Sequence, residues 1–139
     1  MIELRFPIKA MGAVRMTQRG KFVNKRAIAY MNYKKAIQII ARNQYKGKVI
    51  DGPIEVVCKF YFKPPKSYSK KKLKMIEHAN YKFVKRPDID NLFKGVTDAL
   101  NGFIYKDDAS ITKATMTKEY DETDHILIMI KEVQQGNDN

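Results

Sequence analysis

The sequence predicts an α+β fold in which one small domain holds a mixed β-sheet packed by two main helices. Three observations lead there. Apolar and polar residues alternate over residues 2–8 and 54–62, the period of a half-buried strand. Residues 26–45 and the stretch after Asp88 carry apolar residues at helical spacing instead. Strands and helices then follow one another without strict alternation, which argues against an all-parallel sheet. With 139 residues, 44% hydrophobic and 30% charged, the chain has the size and balance for one core.

In order along the chain, Ile2, Leu4, Phe6 and Ile8 form the inward side of a first strand. Residues 12–25 are basic and punctuated by glycine, with Arg15, Arg19, Lys21 and Lys25. Asn24 is placed to cap a helix over 26–45, whose apolar positions are Ile28, Met31, Ala36, Ile39 and Ile40; Gly47 ends it. Ile54, Val56, Cys58, Phe60 and Phe62 define the clearest strand. Residues 63–86 form a basic insert opened by Pro64-Pro65, in which Glu77 is the single acid and 69–79 is predicted as a short helix. After Pro87 a helix runs to about Asn101, stopped by Gly102, with Leu92, Val96, Ala99 and Leu100 on one face. Residues 105–116 and 126–133 are predicted strands, which makes 1–133 the domain and 134–139 a flexible tail.

The formal net charge is +12. Self-repulsion of that size opposes compaction unless a polyanion neutralises it. A membrane-surface binder carries an amphipathic basic helix with bulky apolar residues opposite. Here the basic residues sit in loop-like stretches interleaved with tyrosine, the pattern of a nucleic-acid binder. The expected contacts to DNA are Arg15, Arg19, Lys21, Lys70, Lys71, Lys72, Lys74, Lys85 and Arg86, with Tyr68, Tyr81 and Phe83 between charges where bases stack. No apolar run approaches the roughly 18 residues of a membrane span, and the first residues lack the shape of a signal peptide. The one cysteine, Cys58, reads as a small buried hydrophobe. The expectation is a cytoplasmic protein with no membrane partner.

Acidic residues concentrate in Pro87-Asp88-Ile89-Asp90-Asn91-Leu92-Phe93-Lys94, then Asp98, then Lys106-Asp107-Asp108. If residues 88–90 are extended, Asp88 and Asp90 point to one side. Two carboxylates there suit a hard divalent ion that keeps waters for a phosphate to displace, and Asp107 or Asp108 would close the site. Phosphodiester hydrolysis uses such a cluster to activate water and to neutralise the attacking and leaving oxygens. Lys94, one turn after Asp90, lies on the polar face, where it pairs with an acid or stabilises charge in the transition state. Each acid also has a plain reading. Aspartates before a helix are ordinary caps, Asp90, Lys94 and Asp98 have the spacing of surface ion pairs, and Asp107-Asp108 suits a turn. His78 and His125 stand apart without a nucleophile, and no glycine-rich phosphate loop or zinc spacing is present.

At these residues the sequence resembles the RusA family of Holliday-junction resolvases, found in bacteria and prophages. The match covers about residues 86–111 and consists of Asp88-Ile89-Asp90-Asn91-Leu92-Phe93-Lys94, Asp98-Ala99-Leu100-Asn101-Gly102 and the pair Asp107-Asp108. Arg15-Met16-Thr17 with Gly20, and Pro64-Pro65-Lys66-Ser67, resemble it more loosely. The resemblance implies catalytic acids at Asp88, Asp90 and Asp108, an essential lysine at Lys94, and Asp107 as a further metal-binding neighbour. It also implies Mg²⁺ or Mn²⁺ as cofactor, a homodimer, and paired nicks in four-way junction DNA. A two-fold dimer would set two identical sites on a two-fold junction, with the helix over 26–45 or a sheet edge as interface. Two other readings stay open: a non-catalytic nucleic-acid-binding accessory protein, and a Mg²⁺ nuclease indifferent to DNA structure.

Overall fold

Strand β2 (Ile54–Phe62) organises the molecule. Its β-branched and aromatic residues suit a pleated surface packed on one side, and Ile54, Val56, Cys58, Phe60 and Phe62 are all buried. The computed structural model describes residues 1–15, 24–78 and 82–136. Within them, β2 pairs on one side with β4 (His125–Glu132), antiparallel, and on the other with β3 (Ile111–Tyr120), parallel. Strand β1 (Ile2–Phe6) adds antiparallel to β4, giving the order β1-β4-β2-β3. The sheet is therefore mixed, and the domain is α+β.

One face of this sheet presents Leu4, Phe6, Ile126, Ile128 and Ile130 beside the buried set of β2. Helices α1 (Lys25–Gln44) and α3 (Ile89–Leu100) enter the same core, which Leu92, Val96, Ala99, Leu100 and Tyr105 complete. The Gln38 amide donates to the Ala99 carbonyl at 3.2 Å and ties the two helices. At the far end of α1 the Gln44 amide bonds both the N–H and the carbonyl of Arg5, at 2.8 and 2.6 Å. Those groups belong to an edge strand, where free backbone invites pairing with another chain. Strand β1 stops at Phe6 because Pro7 has no N–H to offer the ladder.

The structure corrects several expectations. The buried side of α1 is Ala27, Tyr30, Tyr33, Ile37 and Ala41, whereas Ile28 is 38% and Ile39 64% exposed. Two tyrosines supply the large apolar area, and alanines allow close approach at either end, so the aliphatic residues do not mark the inner face. The strand expected from residue 105 begins only at Ile111, because Asp107 accepts from the Ala109 N–H at 3.2 Å and starts a 3₁₀ turn, Asp108–Ser110. Tyr105 is instead buried, in isolated bridges to Ile50 and Asn101. A third helix, α2 (Lys70–Glu77), occupies the predicted short-helix stretch, with Ser69 accepting from the Lys72 N–H at 3.2 Å. Cys58 is fully buried, and burial pushes its thiol up to about 12. Among the described residues no helix is long and apolar enough to cross a membrane.

Candidate active site

Helix α3 follows a cis peptide between Arg86 and Pro87, with Asp88 at its N-cap position in extended conformation. Residues 88–90 are not an extended unit: the helix begins at Ile89, and Asp90 lies in its first turn. The two carboxylates nevertheless share one cleft of about 790 Å³, walled by Lys9, Arg26, Lys63, Lys85 and Arg86. The plain reading of Asp88 as a cap fails, because its side chain makes no capping hydrogen bond. Compare Asn24, which caps α1 by accepting from the N–H groups of Arg26 and Ala27 at 2.9 and 3.3 Å. Neither Asp88 nor Asp90 has an ion-pair partner within 4 Å among the described residues.

A short strap, residues 9–15, passes over α3 and forms part of this cleft. Asn91 holds it through two bonds: the Ala13 N–H donates to the Asn91 carbonyl at 3.2 Å, and the Asn91 amide donates to the Ala13 carbonyl at 3.3 Å. Close approach needs a glycine in the helix. A Cβ on Gly95 would stand 2.9 Å from the Met11 carbonyl oxygen. The strap brings Arg15 to a second cleft, shared with Tyr30, Lys34, Asn91, Lys94 and Asp98.

In that second cleft the Lys94 ammonium lies 3.6 Å from Asp98, with its side chain 67% exposed. Lys94 therefore turns toward the acid one turn later, not toward Asp90. Asp98 also accepts from the Tyr30 hydroxyl at 3.0 Å. Burial, then the Asp98 charge, holds the Tyr30 phenol well above its usual range, so it stays a donor.

Asp108 sits beside the C-terminal half of α3. It accepts from the Tyr105 hydroxyl at 2.7 Å, and the same hydroxyl reaches the Thr97 carbonyl at 3.1 Å. Burial raises the Asp108 carboxyl, and the charges of Asp98 and Asp107 add to this, while bonds from Tyr105 and Asn101 oppose it. Asp107 is exposed and engaged in its turn. Among the described residues no three acidic, histidine or cysteine side chains gather as a group able to hold one ion. Asp88 and Asp90 thus line one cleft, and Asp107 and Asp108 do not line it with them.

Of the expected DNA contacts, Lys85 and Arg86 line the first cleft and Arg15 the second. Lys70, Lys71 and Lys74 are exposed on α2, and Lys72 lies over the Tyr68 ring, 4.5 Å from its centroid. Arg19, Lys21 and Tyr81 fall outside the described residues. The aromatic residues of the basic insert are corrected. Phe83 stacks on Phe62 at 4.6 Å and packs against Tyr120, and Tyr68 bonds the Tyr120 hydroxyl. These rings already have partners in the fold, so they anchor the insert to the sheet. Lys9, Arg26 and Lys63 join the site with no local signal in the sequence, since only the fold collects them. Asn91 stood in the motif and shows its use only once the strap is seen.

Residues 6–131 match the family described as Endodeoxyribonuclease RusA. The chain is also 36% identical over 127 residues to the uncharacterized protein YqaN of Bacillus subtilis (strain 168), covering 89% of each chain. The match takes in both clefts, the strap and strands β2 and β3 in full, and the chain belongs to the RusA endodeoxyribonuclease family.

Proposed function

We propose that the chain is a divalent-metal-dependent endonuclease that resolves Holliday junctions by paired, symmetric nicks, acting as a homodimer on cytoplasmic DNA. The observation that carries the reading is the pairing of Asp88 and Asp90, without ion-pair partners among the described residues, in a cleft walled by lysine and arginine. Cations there draw in the phosphodiester backbone, and the two carboxylates stay unneutralised among them. Such a pair fits Mg²⁺ or Mn²⁺, which bind through one or two carboxylates together with substrate phosphate. When bound, the ion would supply an activated water and charge neutralisation at the scissile phosphate.

Every other role falls to the chain itself. Lys85 and Arg86 hold the backbone beside the acids. Lys94, exposed at the surface and shared with Asp98, stabilises the negative charge that develops in the transition state. The family motif makes Asp108 the third catalytic acid, although Tyr105 holds it outside the cleft that Asp88 and Asp90 line, and Asp107 is its neighbour in the motif. Arg15, with Arg19 and Lys21 further along the chain, and the lysines of α2 extend the grip on the junction arms.

The test is a strand-resolved cleavage assay on a mobile four-way junction and on linear duplex, with Mg²⁺ or with chelator. Paired nicks in the junction, only with metal, are the expected outcome. Equal cutting of both substrates replaces the reading with a nuclease indifferent to structure. Tight binding without product, with metal present, replaces it with a non-catalytic DNA-binding protein, a reading favoured by the lack of a three-acid group among the described residues of one chain.

A further inference from the structure

We propose that Lys118 is a positioning residue for Asp88: its ammonium bonds the carbonyls of Lys85 and Pro87 and thereby fixes the segment that presents Asp88 to the cleft. The distances are 2.9 Å to the Lys85 oxygen and 3.1 Å to the Pro87 oxygen. The same ammonium lies 4.9 Å from the centroid of Phe83, so one lysine touches this segment at three places.

Phe83 anchors the start of the segment on Phe62 and Lys85 lies over the Tyr68 ring, 5.0 Å from its centroid, but the backbone itself has few other bonds. Among the described residues, no backbone–backbone hydrogen bond outside helices and strands involves residues 82–87. Proline at 87 removes a donor, and Lys85 and Arg86 are exposed. Lys118, by contrast, stands on β3, in register with Phe60 of the central strand β2. An ammonium is an adaptable donor with three hydrogens, and here two of them are given to backbone oxygens rather than to a carboxylate. Fixing a long side chain this way costs rotamer entropy, so the arrangement opposes the ordinary tendency of a strand lysine to stay in water. The result is a rigid link from the sheet to the residue just before Asp88.

The inference rests on the functional reading in taking Asp88 as a metal ligand, and it makes a prediction of opposite sign to simple electrostatics. Removing a nearby positive charge, by itself, favours cation binding. Removing a positioning group weakens it, typically by roughly 10-fold or more for partners that orient a ligand.

The experiment uses the full-length chain without DNA. Mn²⁺ binding is measured by water-proton relaxation, and backbone order parameters by ¹⁵N relaxation, for wild type, Lys118→Met, Lys118→Arg and Asp88→Asn. In Lys118→Met, order parameters at Lys85, Arg86 and Asp88 are expected to fall from about 0.85 toward 0.6, while those of α1 hold. Mn²⁺ affinity drops roughly 10-fold, and Lys118→Arg recovers both. Unchanged order parameters at those three residues overturn the tether. A looser segment with equal or tighter Mn²⁺ binding overturns the positioning role. If Asp88→Asn binds Mn²⁺ as wild type does, the functional reading fails and the positioning role with it, and the tether is then decided by the order parameters alone.

Discussion

Tyr105 holds Asp108 by a hydrogen bond of 2.7 Å from a ring that solvent does not reach. Burial raises the proton affinity of this carboxylate, and the charges of Asp98 and Asp107 add to the effect. An acid whose folded-state value is raised contributes stability at low pH and loses it as pH rises through that folded value. At neutral pH the ionised Asp108 is therefore a destabilising group. Asp108→Asn should raise Tm in chelator at pH 7, and the gain should shrink below about pH 4, where the unfolded acid is also protonated. Thermal unfolding across that range checks it, and a gain independent of pH would count against it. Loss of cleavage alongside the gain would be a trade of stability for function.

Asp88→Asn and Asp90→Asn should each abolish nicking while junction affinity in chelator stays equal or tightens, since a charge that repels phosphate is gone. Parallel cleavage and gel-shift measurements decide, and wild-type nicking in either variant removes that residue from the site. Stability supplies a second contrast. Asn24→Ala removes a working cap and should cost about 1 kcal/mol. Asp88→Ala removes no capping bond and should cost less, limited to its favourable charge at the helix start.

Gly95→Ala should destabilise the chain by about 1–3 kcal/mol in urea unfolding, from overpacking against the Met11 carbonyl. This is the reverse of what helix propensity says, because alanine is worth about 1 kcal/mol over glycine in an open helix. The strap would also shift, so Arg15 should lose part of its contribution to DNA affinity. A variant as stable as wild type would mean that the strap moves aside without cost.

Neutralising Lys70, Lys71 and Lys74 together should flatten the dependence of log K on log salt by about 0.9 for each phosphate left without its lysine. Affinity should fall alike for junctions of any sequence. Binding isotherms between low and moderate salt read both, and an unchanged slope would reduce α2 to a surface helix.

The parts of this molecule that follow from period and chemistry were legible in the sequence. Strand β2 was found residue for residue because its alternation is unbroken, and the acid motif named its own family. The inner face of α1 was not, since Tyr30 and Tyr33 count as half-polar in a sequence and bury their rings in the fold. The start of β3 was missed because Asp107 favours a local turn over the ladder, a competition that short polar side chains win. What no window of sequence shows is which distant cations meet at a cleft. Lys9, Arg26, Lys63 and Lys118 carry ordinary local patterns, and their meaning lies in contacts with residues far along the chain.

Strands β2 and β3 lie side by side and run the same way, so everything from Lys63 to Ser110 is one long crossover between them. That stretch contains α2, the segment held by Lys118, α3 and both ends of the acid motif. A chain that has not yet closed this loop has neither the parallel ladder nor the cleft. Pairings so distant in sequence slow the search for the native state. The same topology lets the basic insert vary in length at small entropic cost, because the loop is already long and the register of β2 against β3 is set by side chains outside it. Different members of such a lineage can therefore reshape their hold on DNA while the sheet beneath stays as it is.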